Sequence, residues 1–156
     1  MSFAKVIPGS KLTANETNPG DQQGMKRMGV DGNIYEFVMN RSTAVAGQPA
    51  YRVSQLGAAN SSTNGMVTPT QTHSSMKNAY GVYIGTLSTT KYGYILKQGI
   101  PAHLRTKSTA TLKGLSIGPA LKLFSTVGTA LSTYSGQAFQ TPASSDLAYG
   151  SYIRLL

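Results

Sequence analysis

The sequence predicts an all-β fold: a small β-barrel or β-sandwich over residues 31–156, preceded by an extended amino-terminal arm over residues 1–30. Three observations carry this expectation. Strong helix formers such as glutamate are scarce, while Gly, Thr, Tyr and Val are plentiful, a bias toward strands and turns. Short apolar runs of strand length recur every 10–15 residues or so, separated by turn formers. An apolar content of 40% with nine tyrosines is too high for a disordered chain, and 156 residues suffice for one domain with a core. There is no cysteine, so disulfides and thiolate metal sites are excluded.

Taken in order, the arm comes first. Pro8-Gly9-Ser10 and the stretch Asn18-Pro19-Gly20-Asp21-Gln22-Gln23-Gly24 are breakers and polar residues that could not hold a strand inside a sheet. Phe3, Val6 and Ile7 are the anchors such an arm would use on a partner; the alternative is a tail without fixed structure. Asp31-Gly32 is a tight-turn pair. It leads into Ile34-Tyr35-Glu36-Phe37-Val38-Met39, which has strand length and composition. Pro49–Val53 is a second strand, with Tyr51 and Val53 on one face. Residues 56–78 read as a long polar loop, broken by a short strand at Met66-Val67.

The clearest strand signals follow at 80–85 and 92–98, joined through Ser88-Thr89-Thr90-Lys91. Alternation puts Tyr92, Tyr94 and Leu96 on one face of the latter, Ile95 and Lys97 on the other. Gly99-Ile100-Pro101 bends the chain into 102–107, where a period of two aligns His103, Arg105 and Lys107. Residues 120–125 and 128–133 suggest a hairpin. A helix at 120–127 is the competing reading, because Leu121, Phe124 and Val127 recur at helical spacing. An apolar strand over 149–156 closes the chain.

The five acids are Glu16, Asp21, Asp31, Glu36 and Asp146, with none between Glu36 and Asp146. Nine Lys or Arg residues occupy that same span, and the net charge is +9. Such a field favours an anionic partner, whether nucleic acid, an acidic protein surface or anionic lipid; plain solubility is the competing explanation. The amino terminus lacks a secretory leader and no run of about twenty apolar residues occurs, so a soluble protein without membrane contact is expected.

Chemistry finds little footing. The carboxylates are too scattered for paired acid–base work. His73 and His103 lie thirty residues apart without converging ligands or an acid. Phosphate-binding glycine loops and the Gly-x-Ser-x-Gly elbow are missing. No catalytic residue, cofactor, metal or small-molecule substrate is therefore expected. Tyrosines interleaved with Lys91 and Lys97 could stack bases, or could equally belong to the core.

Residues Ala79–Leu156 resemble the small capsid decoration, or cement, proteins of tailed bacteriophages. The likeness rests on Tyr92-Gly-Tyr-Ile-Leu-Lys-Gln-Gly-Ile-Pro-Ala102, on the Gly118-Pro-Ala-Leu-Lys-Leu-Phe-Ser-Thr-Val-Gly-Thr-Ala-Leu131 strand-turn-strand, and on the apolar closing strand. The cysteine- and tryptophan-free make-up is also similar to phage virion proteins, including those of phages of cyanobacteria. The resemblance implies a barrel or β-tulip domain, made in the host cytoplasm. It would sit as a homo-trimer or homo-dimer on the outer capsid surface, bridging major capsid protein subunits. The expected partner-binding residues are Phe3, Val6, Ile7, Lys91, Lys97, His103, Arg105 and Lys107. The competing functions are a nucleic-acid-binding β module and another phage structural component such as a tail, fibre or adaptor protein.

Overall fold

A computed structural model describes residues 6–53, 66–70, 79–102 and 104–105 in full, together with the backbone of the strands at 116–120, 123–126, 136–138 and 151–154. Among the described residues the elements are one helical turn, α1 (Gly9–Leu12), and ten strands. The strands are β1 (Lys26–Met28), β2 (Ile34–Asn40), β3 (Pro49–Arg52), β4 (Met66–Thr68), β5 (Gly81–Tyr83), β6 (Tyr92–Gly99), β7 (Ser116–Ala120), β8 (Leu123–Thr126), β9 (Gly136–Ala138) and β10 (Ser151–Arg154). No helix among the described residues is long and apolar enough to cross a membrane.

Strands β2, β4, β3, β5 and β6 are neighbours in that order, and a further β2–β6 pairing closes them into a five-stranded barrel. The fold is thus the all-β barrel that the composition predicts. β1 pairs with Ile34–Glu36 of β2, on the side where β4 pairs only Met39 and Asn40, and β10, β9, β7 and β8 continue from the end of β6. Most pairings are antiparallel; β2–β4 is parallel, with Met39 opposite Met66. Between β2 and β6 the register slips at Ile34/Tyr35, where Gln98 and Leu96 are the successive partners and Lys97 is the extra residue.

Period-two alternation sorts the side chains into two cores. Val38, Ala50, Val67, Tyr83 and Ile95, one from each barrel strand, pack with Ala44 and Leu87 to fill the interior. The Tyr83 hydroxyl, buried there, donates to Asn40 Oδ1 at 2.8 Å. Asn40 Nδ2 in turn donates to the carbonyls of Leu87 (2.5 Å) and Ser42 (2.6 Å), so the buried polar groups satisfy one another. Asn40 matches a glycosylation sequon by chance, since it is fully buried. The second core lies on the outer face of β2, β5 and β6: Ile7, Tyr35, Ala79, Val82, Leu96 and Leu104, with Leu12, Ile84 and Tyr94 against it.

This outer core explains the path of the amino-terminal segment. From residue 6 onward it runs along its own barrel instead of standing away from it, because hydrogen bonds and burial fasten it there. Ile7 N donates to the Met28 carbonyl at 2.9 Å. Glu16 and Tyr92 exchange backbone bonds of 2.9 and 2.8 Å, and Asn15 and Ser88 clasp each other at 3.0 and 3.1 Å. The crossing needs Gly93: a Cβ there would lie 2.8 Å from the Ala14 carbonyl oxygen.

Other expectations meet the structure as follows. Residues 102, 104 and 105 are not in a strand, which corrects the alternating segment expected over 102–107. Leu104 instead drops into the outer core, while Arg105 N donates to the Gly47 carbonyl at 2.9 Å. Residues 117–120 and 123–126 are paired strands and not helix, an earlier pairing than that expected between 120–125 and 128–133, and residues 128–133 lie outside the described ones. Ile117–Ala120 pair with Leu123–Thr126, placing Pro119 within β7. β4 forms within the stretch 56–78 and is integral to the barrel; residues 56–65 and 71–78, including His73, lie outside the described residues.

Candidate interaction surface

Four of the five acids lie among the described residues, and each is engaged within the chain. Glu16 Oε2 accepts from Gly20 N at 3.2 Å. Asp21 accepts two bonds from Arg27, Nε at 2.7 Å and Nη2 at 2.9 Å, one from the Tyr94 hydroxyl at 2.8 Å, and one from Gln22 N at 3.1 Å. The Arg27 guanidinium is the main cause that holds the Asp21 carboxyl below its ordinary range. Asp31 accepts from the Tyr35 hydroxyl at 2.5 Å and from Asn33 N and Nδ2 at 3.0 and 2.9 Å. Burial, helped by the bond to Asp31, pushes the Tyr35 hydroxyl up to about 12. Glu36 is 1% exposed and turned into the barrel.

The cations are distributed differently. The Arg27–Asp21 contact is the one ion pair among the described residues. Lys11, Lys26 and Arg41 are exposed. The residues described in full hold eight Lys or Arg against four acids, so the field of this part of the chain is net positive. Lys91 Nζ donates to the Thr17 hydroxyl at 2.6 Å.

The residues expected to bind a partner are divided by the fold. Val6 is 50% exposed, Lys91 and Arg105 are partly exposed, and Ile7 is 3% exposed. Ile7 therefore anchors the segment to its own barrel and is corrected from a partner anchor to a core residue. Lys97, also at 3%, is corrected likewise. Alternation places it with Ile95 on the inward face of β6. Phe3, His103 and Lys107 lie outside the described residues.

Sequence reasoning missed the cluster that Lys97 enters. Its Nζ donates to the Tyr80 carbonyl and stands 3.3 Å from the centroid of the Tyr80 ring, while the Arg52 guanidinium carbon lies 5.2 Å from the same ring. The Tyr80 hydroxyl donates to Glu36 Oε1 at 2.6 Å. Glu36 Oε2 and Arg52 Nε are buried without a partner. Burial lowers Lys97 to about 8, and the nearby Glu36 charge offsets only part of that loss. Burial raises the Tyr80 hydroxyl far above its ordinary value. The only signal in the sequence was the single acid Glu36 inside a strand otherwise built of apolar and aromatic residues.

The tyrosines of β6 are half-buried. Phe37, 1% exposed, stacks on Tyr92 at 6.1 Å between centroids and meets Tyr94 edge-on at 5.0 Å. The Tyr94 hydroxyl is spent on Asp21.

Three large hydrophobic side chains are exposed among the described residues: Val6 (50%), Val30 (69%) and Ile100 (54%). Each adjoins a contact of the turn at residues 29–33. Ile7, next to Val6, bridges Gly29, next to Val30. Asn33, closing that same turn, bonds Ile100 twice, donating to its carbonyl at 3.2 Å and accepting from its N at 3.1 Å. Gly99, at φ +132°, lets the backbone reach Asn33, whose Oδ1 would be struck by any Cβ there. No protein-family model matches the chain, and neither a curated protein nor a solved structure does.

Proposed function

We propose that this chain is a structural virion protein that acts without catalysis, binding the outer surface of an icosahedral phage head and bridging neighbouring major capsid subunits. The observation that supports the reading is the excess of cations: the residues described in full hold eight Lys or Arg against four acids, and Lys11, Lys26 and Arg41 are exposed where Asp31 alone of those acids is. A surface of that kind gains encounter rate and register from an acidic partner, with apolar contacts adding strength and many copies adding avidity. The resemblance of residues 79–156 to decoration proteins supplies the head as that partner. The contacts of Tyr92 and Tyr94 with Phe37, and the Tyr94 hydroxyl's bond to Asp21, weigh against the single-stranded nucleic-acid reading by engaging part of each ring.

The test is a binding comparison at graded salt. Fluorescently labelled protein is offered expanded heads, isolated capsid subunits and duplex DNA. The proposal expects saturable binding to heads that exceeds binding to subunits. Tighter binding to duplex DNA with a steep salt dependence, and none to heads, overturns it.

A further inference from the structure

We propose that the charged end of the barrel interior, where Lys26, Glu36, Arg52, Tyr80 and Lys97 meet, binds one small oxyanion that carries a hydroxyl, with hydrogen phosphate as the fitting ligand. The inference stands apart from the head-binding reading, since it requires neither a capsid nor the outer surface.

Strand alternation builds the cluster. Glu36 on β2 and Lys97 on β6 point inward, one step beyond Val38 and Ile95, and are 1% and 3% exposed. Directly opposite Glu36 in the β1–β2 pair stands Lys26, whose side chain therefore leaves the sheet on the same face. Lys97 Nζ lies 3.3 Å and the Arg52 guanidinium carbon 5.2 Å from the Tyr80 centroid, so one ring holds both cationic groups. The Tyr80 hydroxyl is given to Glu36 Oε1. From the buried Lys97 and Glu36 the cluster runs through half-buried Arg52 and Tyr80 to the exposed Lys26.

Two features select the ligand. The first is charge. Burial is the main cause that lowers Lys97 to about 8; behind it the charges of Lys26 and Arg52 press the same way, against the pull of Glu36. At pH 7.5 most molecules still carry that proton, and three cations face one carboxylate. An anion offsets the excess, and its attraction is strengthened by burial. The second feature is hydrogen bonding. Arg52 Nε is buried without an acceptor and Glu36 Oε2 without a donor. The one ion pair among the described residues lies elsewhere, at Arg27 and Asp21. The ligand must therefore accept from Arg52 Nε and donate to Glu36 Oε2. Sulfate meets the first demand but sets a bare negative oxygen against Glu36. Hydrogen phosphate meets both, because its hydroxyl donates. Water also meets both, yet leaves the excess of positive charge standing, and that excess decides for the anion.

The test is a ¹H–¹⁵N titration of the full chain at pH 7.5 and constant ionic strength. Its three probes are sodium phosphate, sodium sulfate and methyl phosphate, whose dianion has no hydroxyl. Phosphate should shift the amides of Glu36, Arg52, Tyr80 and Lys97, with a dissociation constant on the order of 1 mM. Sulfate and methyl phosphate should bind at least about tenfold more weakly. Glu36→Gln removes the opposing charge and should bring sulfate to within about twofold of phosphate, a change of preference that a merely structural glutamate would not produce. Lys26→Gln, at an exposed position, should weaken phosphate binding by about two- to fivefold, and it decides the matter if Glu36→Gln does not fold. No shifts at about 10 mM phosphate, roughly ten times the expected constant, overturn the inference. Equal affinities for phosphate and sulfate in the parent chain also overturn it, as does a folded Glu36→Gln that still prefers phosphate. Methyl phosphate binding as tightly as phosphate overturns the hydroxyl requirement and makes a phosphate ester the ligand. Unchanged phosphate affinity in Lys26→Gln overturns the cluster as the site.

Discussion

Lys97 makes the stability of this barrel rise with pH through a range where that of most proteins falls. Burial lowers its ammonium from the ordinary 10.5 to about 8 in the folded chain. Between those values the unfolded chain holds a proton that the native chain has lost, so ΔG of unfolding increases with pH. At about 1.4 kcal/mol per unit, the shift caps the gain at about 3 kcal/mol between pH 7 and 10.5. The Tyr80 ring and carbonyl are built into the native site that holds this cation. Tyrosines set the upper limit. Tyr35 and Tyr94 are pushed up to about 12, chiefly by burial. Their contribution is fully present below pH 10 and is lost as pH rises toward 12. Stability should thus peak at roughly pH 10. The assay is urea unfolding followed by far-UV circular dichroism at half-unit steps from pH 7 to 11. Relief of self-repulsion in a chain of charge +9 gives a shallow rise of its own, which Lys97→Met retains. The refuting result is a parent profile whose slope between pH 7.5 and 10 equals that of Lys97→Met.

Further outcomes follow from the same contacts. Tyr80→Phe removes the donor to Glu36 Oε1 and leaves both carboxylate oxygens unpartnered in the barrel. It should cost about 2–3 kcal/mol in urea unfolding at pH 7. Gly93→Ala drives a Cβ against the Ala14 carbonyl. Hydrogen exchange should show lost protection at the Glu16 amide, with the β2–β6 ladder still protected. Asp21→Asn breaks the paired bonds to Arg27 and should lower the melting temperature at pH 7. Because the Asp21 carboxyl titrates low when folded, the difference from the parent should shrink as pH falls through that depressed value. The double change Lys26→Glu and Arg41→Glu, both at exposed positions, should weaken head attachment by about tenfold or more with an unaltered melting curve.

Much of the barrel was legible because β2, β5 and β6 carry their strand character in composition and alternation. What local pattern could not convey was which face of β6 turns inward. Both faces are covered, one by the barrel interior and the other by residues 6–25, so Tyr94 and Ile95 each find a core. Lys97 therefore read as a surface cation although alternation had already placed it beside Ile95. The parallel β2–β4 pairing joins strands far apart in sequence and leaves no local trace. The β7–β8 pairing lies earlier than the 120–125 and 128–133 pairing expected, and Pro119 sits within it opposite Phe124. The amino-terminal segment was read as an arm from its breakers. Its attachment runs through backbone bonds such as those of Glu16 with Tyr92, which any residue type could make. At the candidate surface, the charge imbalance was legible, whereas the approach of Val6, Val30 and Ile100 to the turn at residues 29–33 depends on Asn33 and on the Ile7–Gly29 bridge.

The most direct measurement is electron microscopy of virions in which mass spectrometry finds this chain. Density for a five-stranded barrel outside the head, over the seams between major capsid subunits, is the result foreseen. Finding it packed with the genome inside the shell, or confined to the tail, would contradict the account.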